Sequence, residues 1–423
     1  MSSEQILMDA YEWADRSINS CPRYETGFTQ LLASKPYRVS RAVRRGYDAR
    51  LPLIRSFQQA AVELFRAALK DETHPSILHW LINETPDHLG MPYHRSLEER
   101  HFTLPVFFRT DEVRPGRIVE INCPAALWGE LQLAFEHAAR MGCCAGEISP
   151  AEQYAAQPTN LLQETPVVHH YLDKSTAPGS WRYFIEKTRP RVRYWSIDRG
   201  VRATDCNFIR YQAFVDVWGD GNLGARLSKA GQGVRFDSPP YVLFDQKATL
   251  VLPFWSLTRE RFADEIRQLF PFTTPLLPAG IELPDGGRIS IEGFSGWSRS
   301  QRSYYAKYAG MDWTRNYGSK AVYRLSNMSS AACLDFLQQC LGQYERGHIW
   351  LLQQEETQDD EIEYLTRDGT VRIRRLRASL GGFYGPGGCL GVLAMHSPYN
   401  KVHGREDTVI SHVVADDEDR VTA

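Results

Sequence analysis

The sequence predicts an α+β protein, on three observations. Residues 1–95 carry apolar positions at helical spacing, the period changes to strand and turn from about 101, and residues 301–412 combine a helix with several strands. In the first region, "RSFQQAAVELFRAALKD" puts Ala61, Leu64, Phe65 and Ala68 on one helical face. "HPSILHWLINETP" reads as a shorter helix that stops before Pro86. Arg41, Arg44, Arg45 and Arg50 cluster ahead of them, either as a solvated helix face or as a contact for an anionic substrate. "AALWGELQLAFEHAARMG" is predicted helical up to Gly142. Residues 165–245 alternate strand-like pieces ("RVRYWSI", "NFIRYQAFVDVW") with glycine-rich turns such as "GDGNLG". Residues 246–300 hold an amphipathic helix, "TRERFADEIRQLF", between proline-rich loops. After it come a helix, "SAACLDFLQQCLGQY", the strands "HIWLLQQEE" and "TVRIRRLRASL", and a glycine-rich stretch read as a flexible loop. The tail "ADDEDRVTA" is acidic and is expected to fray.

A chain of 423 residues has room for two or three domains, or for one large core with insertions. The formal net charge of −2 gives no bulk field toward nucleic acid or an anionic membrane. No long apolar run and no signal peptide stand out, so a cytoplasmic location is expected. Eight cysteines (Cys21, Cys123, Cys143, Cys144, Cys206, Cys333, Cys340 and Cys389) form no C-x-x-C pair, and read as small buried hydrophobes rather than nucleophiles. His169-His170 and His396…His403 lack the helical i, i+4 spacing of a metal pair.

The stretch "FFRTDEVRPGRIVEINCPAALWG" poses the functional question. Pro115-Gly116 is a turn dipeptide, so the flanks are predicted to pair antiparallel, 111 opposite 120 and 109 opposite 122. Alternation then puts Arg109, Asp111, Glu120 and Asn122 on one face, with Phe108, Val119 and Ile121 directed into the core. Two carboxylates and an amide oxygen suit a hard cation such as Mg²⁺, and a neighbouring guanidinium matches a phosphoryl group. A cross-strand salt bridge beside an unrelated Glu and Asn would leave the same pattern.

The order R-x-D, turn, E-x-N, then Pro resembles the metal-binding segment of glutathionylspermidine synthase and other circularly permuted ATP-grasp ligases. The resemblance implies a circularly permuted ATP-grasp fold preceded by a helical region, with ATP and one or two Mg²⁺ ions as cofactors. It implies that Arg109 steadies the transferring phosphoryl group and that Asp111, Glu120 and Asn122 hold Mg²⁺. "LFDQKATLVLPF" would supply Lys247 to the ATP phosphates, and "YYAKYAGMDWTRNYGSKAVYRL" a second lysine, Lys307, followed by a small-residue loop at Tyr317, Gly318 and Ser319. "IWLLQQEE" resembles the strand that hydrogen-bonds adenine, with Gln353, Gln354 and Glu355 as candidates. Arg375 or Arg377 would reach phosphate, and Lys401, His403 and Asp407 would line the same cleft. "NCPAAL" stands where the relatives have "NADTP", which points to a substrate other than glutathione.

The implied activity is carboxylate–amine ligation through an acyl phosphate, releasing ADP and phosphate. The partners would be a small-molecule or peptide carboxylate and an amine. A small-molecule kinase on the same fold and a non-catalytic binding relative stay open. Taken singly, Lys247 and Lys307 read as surface lysines, and "GGFYGPGGCLG" is neither a Walker loop nor a dinucleotide fingerprint. The expected division is a helical region 1–95, a metal-ligand segment 96–164, an α/β segment 165–245, nucleotide-binding subdomains 246–412 and the tail 413–423. Loops near 310–320 and 381–391 are expected to close over the site.

Overall fold

The computed structural model describes residues 9–19, 30–70, 94, 95, 97, 99, 102–123, 125–162, 167–171, 183, 184, 187, 188, 193–196, 208–211, 235–239, 241–244, 246–310, 312, 315, 320–399, 402 and 407–416. The N-terminal region contributes α1 (Ala10–Asn19) and α2 (Arg41–Lys70); the periodicity of "RSFQQAAVELFRAALKD" falls in α2, and the helix expected over "HPSILHWLINETP" lies outside the described residues. It also contributes two strands that the helical reading missed, β1 (Leu31–Ala33) and β2 (Tyr37–Val39). Each has three residues, too few for alternation to register.

The predicted hairpin follows as β3 (Phe108–Arg114) and β4 (Arg117–Asn122), then α3 (Trp128–Arg140) and α4 (Pro150–Leu162). Strands β5 (Val167–Tyr171), β6 (Arg193–Ser196), β7 (Phe208–Tyr211) and β8 (Arg235–Phe236) form a parallel sheet in the order 6-5-7-8. The amphipathic helix expected over "TRERFADEIRQLF" is broken into a 3₁₀ turn at Arg259–Arg261 and a short α5 (Asp264–Gln268).

A second sheet is built from β9 (Thr273–Pro275), β12 (Tyr304–Tyr308), β13 (Val322–Arg324) and β14 (Trp350–Gln354), in the order 13-12-14-9. The small hairpin of β10 (Ile281–Glu282) and β11 (Arg288–Ile289), with α6 (Ile291–Ser295) and α7 (Ser330–Leu341), completes that part of the chain. Ser329 caps α7 by accepting from the Ala332 N–H. One face of the second sheet, with Ala306, Tyr308, Trp350 and Leu352, packs on Leu337 of α7 and Phe294 of α6. Its other face, carrying Lys307 and Gln353, is left for the site.

The large sheet joins β15 (Asp359–Leu365), β16 (Val371–Gly385), β17 (Gly388–Ser397) and β18 (Val409–Ala415) to β1, β2, β3 and β4. The pairings β15–β1–β18–β17–β16–β15 return to their start, so five strands close a ring. Strand β16 is long enough to use one edge twice: 371–377 pairs with β15, and 380–384 with β3. The β3–β4 hairpin therefore extends from the ring beside the second sheet. Alternation separates two cores. Tyr384, Val392 and Ala394 pack with Phe57 and Phe65 of α2, whereas Phe383, Leu393 and Met395 pack with Trp128 of α3 and Tyr154 of α4.

The glycine-rich stretch 381–391 is not the expected flexible loop. Gly381, Gly382 and Gly385 lie inside β16, Gly388 opens β17, and only a tight turn separates the strands. The glycines admit close neighbours: a Cβ at Gly382 would stand 2.9 Å from Thr110 Oγ1 and 3.2 Å from the Tyr47 ring. Gly388 has φ +147°, and a Cβ there would come 2.8 Å from Asp48 Oδ1, the oxygen that accepts from the Cys389 N–H at 2.8 Å. Gly388→Ala is accordingly expected to cost about 1–3 kcal/mol, read as a lower urea midpoint at unchanged slope. Among the described residues, no helix is long and apolar enough to cross a membrane.

Candidate functional site

The hairpin has the register predicted from its turn, with Arg109 opposite Asn122 and Asp111 opposite Glu120. The four side chains meet on one face. Arg109 donates from Nε to Asp111 Oδ1 at 2.6 Å and from Nη2 to Asp111 Oδ2 at 2.9 Å. Asn122 Nδ2 donates to Asp111 Oδ2 at 3.0 Å. Arg109 Nη1 also reaches the Ala126 carbonyl at 2.9 Å, which ties the hairpin to the start of α3. Burial alone would lower the Arg109 pKa, but Asp111 first, and then Glu120, hold it above its ordinary value.

A bulge interrupts the register after Asp111, with Val119 as the added residue of β4, whereas Glu112 keeps the inward face that alternation gives it. Val119, predicted to point into the core, instead lines the cleft. Glu112 is turned away from the cleft and is fully buried, where Arg50 Nη2 donates to its two oxygens at 3.2 and 3.1 Å. The Gly116 N–H donates to the same carboxylate at 2.7 Å, fixing the Pro115-Gly116 turn. Arg50 is thus a structural partner, not a contact for substrate.

Both candidate lysines are brought to this face. Lys247 begins a 3₁₀ turn (Lys247–Val251), and its Nζ lies 3.0 Å from Glu120 Oε1. Lys307 points from β12 into the cleft and donates to Gln353 Oε1 at 2.6 Å and to the Val119 carbonyl at 3.2 Å. Burial pushes the Lys307 pKa down to about 8 against the pull of Glu120. Burial would raise the Glu120 carboxyl, yet Lys247, then Lys307 and Arg109, hold it below the usual carboxylate value. The site is a desolvated patch in which two carboxylates are balanced by three cations.

The cleft between hairpin, second sheet and ring is lined by Asp111, Glu120, Lys307, Gln353, Gln354 and Arg377, among others. Gln354 is exposed at its rim. Glu355 is not brought in, because it is held by Arg324 at 2.7 Å and by the Ser303 hydroxyl at 3.0 Å. Its neighbour Glu356 lines the cleft instead, paired with Arg117 at 2.8 Å and Arg114 at 2.9 Å. Of the two arginines left open, Arg377 lines the cleft, 2.8 Å from Asp359, whereas Arg375 is exposed opposite Glu361 and is not among the lining residues. Tyr317, Gly318, Ser319, Lys401 and His403 lie outside the described residues, and Asp407 sits in the turn before β18. Sequence reasoning missed Tyr305, Val322 and Ser379 as lining groups. Tyr305 was reachable, since it lies two residues before Lys307 on the same strand face.

The described residues form a mixed α/β protein whose large mixed sheet and second sheet flank this cleft. No protein-family model and no curated protein matches the sequence. Among solved structures, the chain is similar to a glutathione synthetase-like effector from Globodera pallida, determined in its apo form. The TM-score is 0.56 at 13% identity, with 98% of each chain covered. A protein from Methylobacillus flagellatus, provisionally assigned as a gamma-glutamylcysteine synthetase, matches with a TM-score of 0.39 at 11% identity over 82% of this chain and 84% of its own. At such identity the first likeness speaks for the fold, and the second carries no weight.

Proposed function

We propose that the protein is an ATP- and Mg²⁺-dependent carboxylate–amine ligase on a circularly permuted ATP-grasp fold. It would form an amide through an acyl phosphate, with release of ADP and phosphate. The observation that carries this reading is the convergence of six side chains: Asp111, Glu120 and Lys307 line one cleft, and Arg109, Asn122 and Lys247 contact those carboxylates from beside it. The division of the chain given above, with 246–412 binding nucleotide, belongs to the same proposal.

The donor set fits a hard divalent cation. Asp111, Glu120 and Asn122 supply carboxylate and amide oxygens from facing strand positions. Their present partners, Arg109 and Lys247, are the cations that phosphate oxygens would draw away. Bound Mg²⁺ would supply charge neutralisation of the phosphates during transfer. Lys247 and Lys307 would grip the triphosphate, and Arg109 would offset charge on the transferring group and later on the tetrahedral intermediate. Gln353 holds Lys307 in place, and Gln354 stands at the rim where a purine edge would meet the strand end. The cleft encloses about 110 Å³. Small-molecule sites hold roughly 300 Å³ or more, so nucleotide entry requires the two sheets to part or the lining side chains to swing out.

The test is ADP and phosphate release from MgATP with pooled small carboxylates and amines, repeated on folded Asp111→Ala. Pool-dependent turnover that disappears in the variant supports the ligase. Turnover that survives shows the hairpin to be structural, and a phosphorylated product without phosphate release shows a kinase. A pH effect follows from Lys307. Its ammonium is lost as pH rises through about 8, and phosphate binding needs the charged form. ATP affinity is therefore expected to weaken above that pH in calorimetric titrations, and Lys307→Gln to flatten the dependence.

A further inference from the structure

The segment between α3 and α4 folds back on itself through Gly142 and Gly146, both in the left-handed region at φ +75° and +79°. The fold brings Cys144 and Glu147 against His412, in the middle of β18. One ligand atom from each of the three lies within 4.8 Å of the others, and His412 Nε2 stands 3.7 Å from Glu147 Oε2. Cys144 and His412 are buried, at 6% and 3% exposure, and Glu147 opens to solvent. The His412 ring packs edge-on against Phe135, and its Nδ1 has no hydrogen-bond partner. None of the three lines the cleft described above.

We propose that Cys144, Glu147 and His412 form a zinc site separate from the cleft, with three protein ligands and a fourth position open to water. A tetrahedral ion with bonds of about 2.0–2.3 Å separates its ligand atoms by roughly 3.3–3.8 Å, so the His412–Glu147 spacing already fits and Cys144 needs only a small side-chain adjustment. The donor set has the right softness: a thiolate and an imidazole favour Zn²⁺ over Mg²⁺ or Ca²⁺, and the carboxylate contributes charge. Glu147 is held ionised by its contact with His412, and burial keeps His412 neutral, the state in which a ring nitrogen can ligate. As the Zn–S bond forms, the Cys144 thiol proton leaves to solvent. Arg44, the nearby cation that weakens the affinity, stands in α2. The ion would pin the α3–α4 segment to β18, one strand of the ring.

The experiment uses Co²⁺ as a spectroscopic probe of the full chain. One equivalent is expected to give a thiolate-to-cobalt charge-transfer band with tetrahedral d–d bands, and Zn²⁺ to displace both. Cys144→Ser is expected to abolish the charge-transfer band while circular dichroism stays unchanged, Glu147→Gln to weaken Co²⁺ binding at least ~10-fold, and Cys143→Ser to leave the spectrum intact. Should Cys144→Ser not fold, alkylation of the native protein mapped by mass spectrometry replaces it, and Zn²⁺ is expected to protect Cys144 selectively. No thiolate band, a band that persists in Cys144→Ser, loss in Cys143→Ser instead, or no protection of Cys144 would overturn the site.

Discussion

Glu120→Gln is expected to lower MgATP-dependent turnover by at least ~10²-fold and, at the same time, to tighten binding of ATP in the absence of Mg²⁺. The two effects have opposite signs because Glu120 has two relations in the cleft. It lies 3.0 Å from the Lys247 ammonium and within the field of Lys307, so it neutralises the cations that phosphates would otherwise meet. It also offers an oxygen to the proposed Mg²⁺. Glutamine keeps the size and removes the charge. Lys247 is then released from its carboxylate, and triphosphate meets one carboxylate fewer in the cleft, so metal-free affinity rises. The metal loses an anionic ligand, so transfer fails. Without Glu120 the already lowered Lys307 pKa is expected to fall further, which makes the nucleotide-free variant less stable than wild type and more strongly stabilised by ATP. Equilibrium dialysis with and without Mg²⁺, alongside the turnover assay, separates the two effects. Unchanged metal-free affinity together with full turnover would make the Lys247–Glu120 pair a structural salt bridge.

What the sequence disclosed and what it hid divide along a physical line. A turn dipeptide and strict alternation fix a register, so the meeting of Arg109, Asp111, Glu120 and Asn122 was readable from "RTDEVRPGRIVEIN". Lys307 and Gln353 were reached through the resemblance of "YYAKYAG" and "IWLLQQEE" to nucleotide-binding strands, not through a turn. The bulge after Asp111 was not readable, because alternation carries no sign of an added residue, and it is what turned Val119 toward the cleft. The glycines of 381–391 misled because a flexible loop and a strand pressed against neighbouring side chains call for the same residue. Strands β1 and β2 exist only through partners in β18 and β15, more than three hundred residues away, and three residues alone carry no period. Cys144, Glu147 and His412 likewise come together only through the fold. Local chemistry was legible, and long-range juxtaposition was not.

Arg50→Ala is expected to destabilise the protein by about 3–5 kcal/mol at neutral pH, and by progressively less as the pH falls. Glu112 is fully buried, and among the described residues the Arg50 guanidinium is the cationic partner in its hydrogen bonds; the others are the Gly116 N–H and the Thr110 hydroxyl. Removing the guanidinium leaves a buried carboxylate with two neutral donors. Burial already raises the Glu112 pKa in the folded state, with Arg50 opposing it, so loss of Arg50 raises it further. A carboxyl whose folded pKa exceeds its unfolded one binds its proton more tightly when folded. Its contribution to stability is therefore unfavourable above the folded pKa, improves as pH falls through that value, and is fully recovered below the unfolded pKa. The penalty of Arg50→Ala, measured against wild type by urea denaturation at several pH values, should shrink over that window. Adding Glu112→Gln to Arg50→Ala should remove the pH dependence by removing the titrating group. A penalty independent of pH would place the cost in lost packing of the arginine over the Tyr47 ring, 4.3 Å away, instead of in the stranded charge. The consequence reaches the cleft, because Glu112 adjoins Asp111 and holds the turn through Gly116. A loosened hairpin presents Asp111 and Glu120 less accurately, so the same variant should need more Mg²⁺ for half-maximal turnover even where it remains folded.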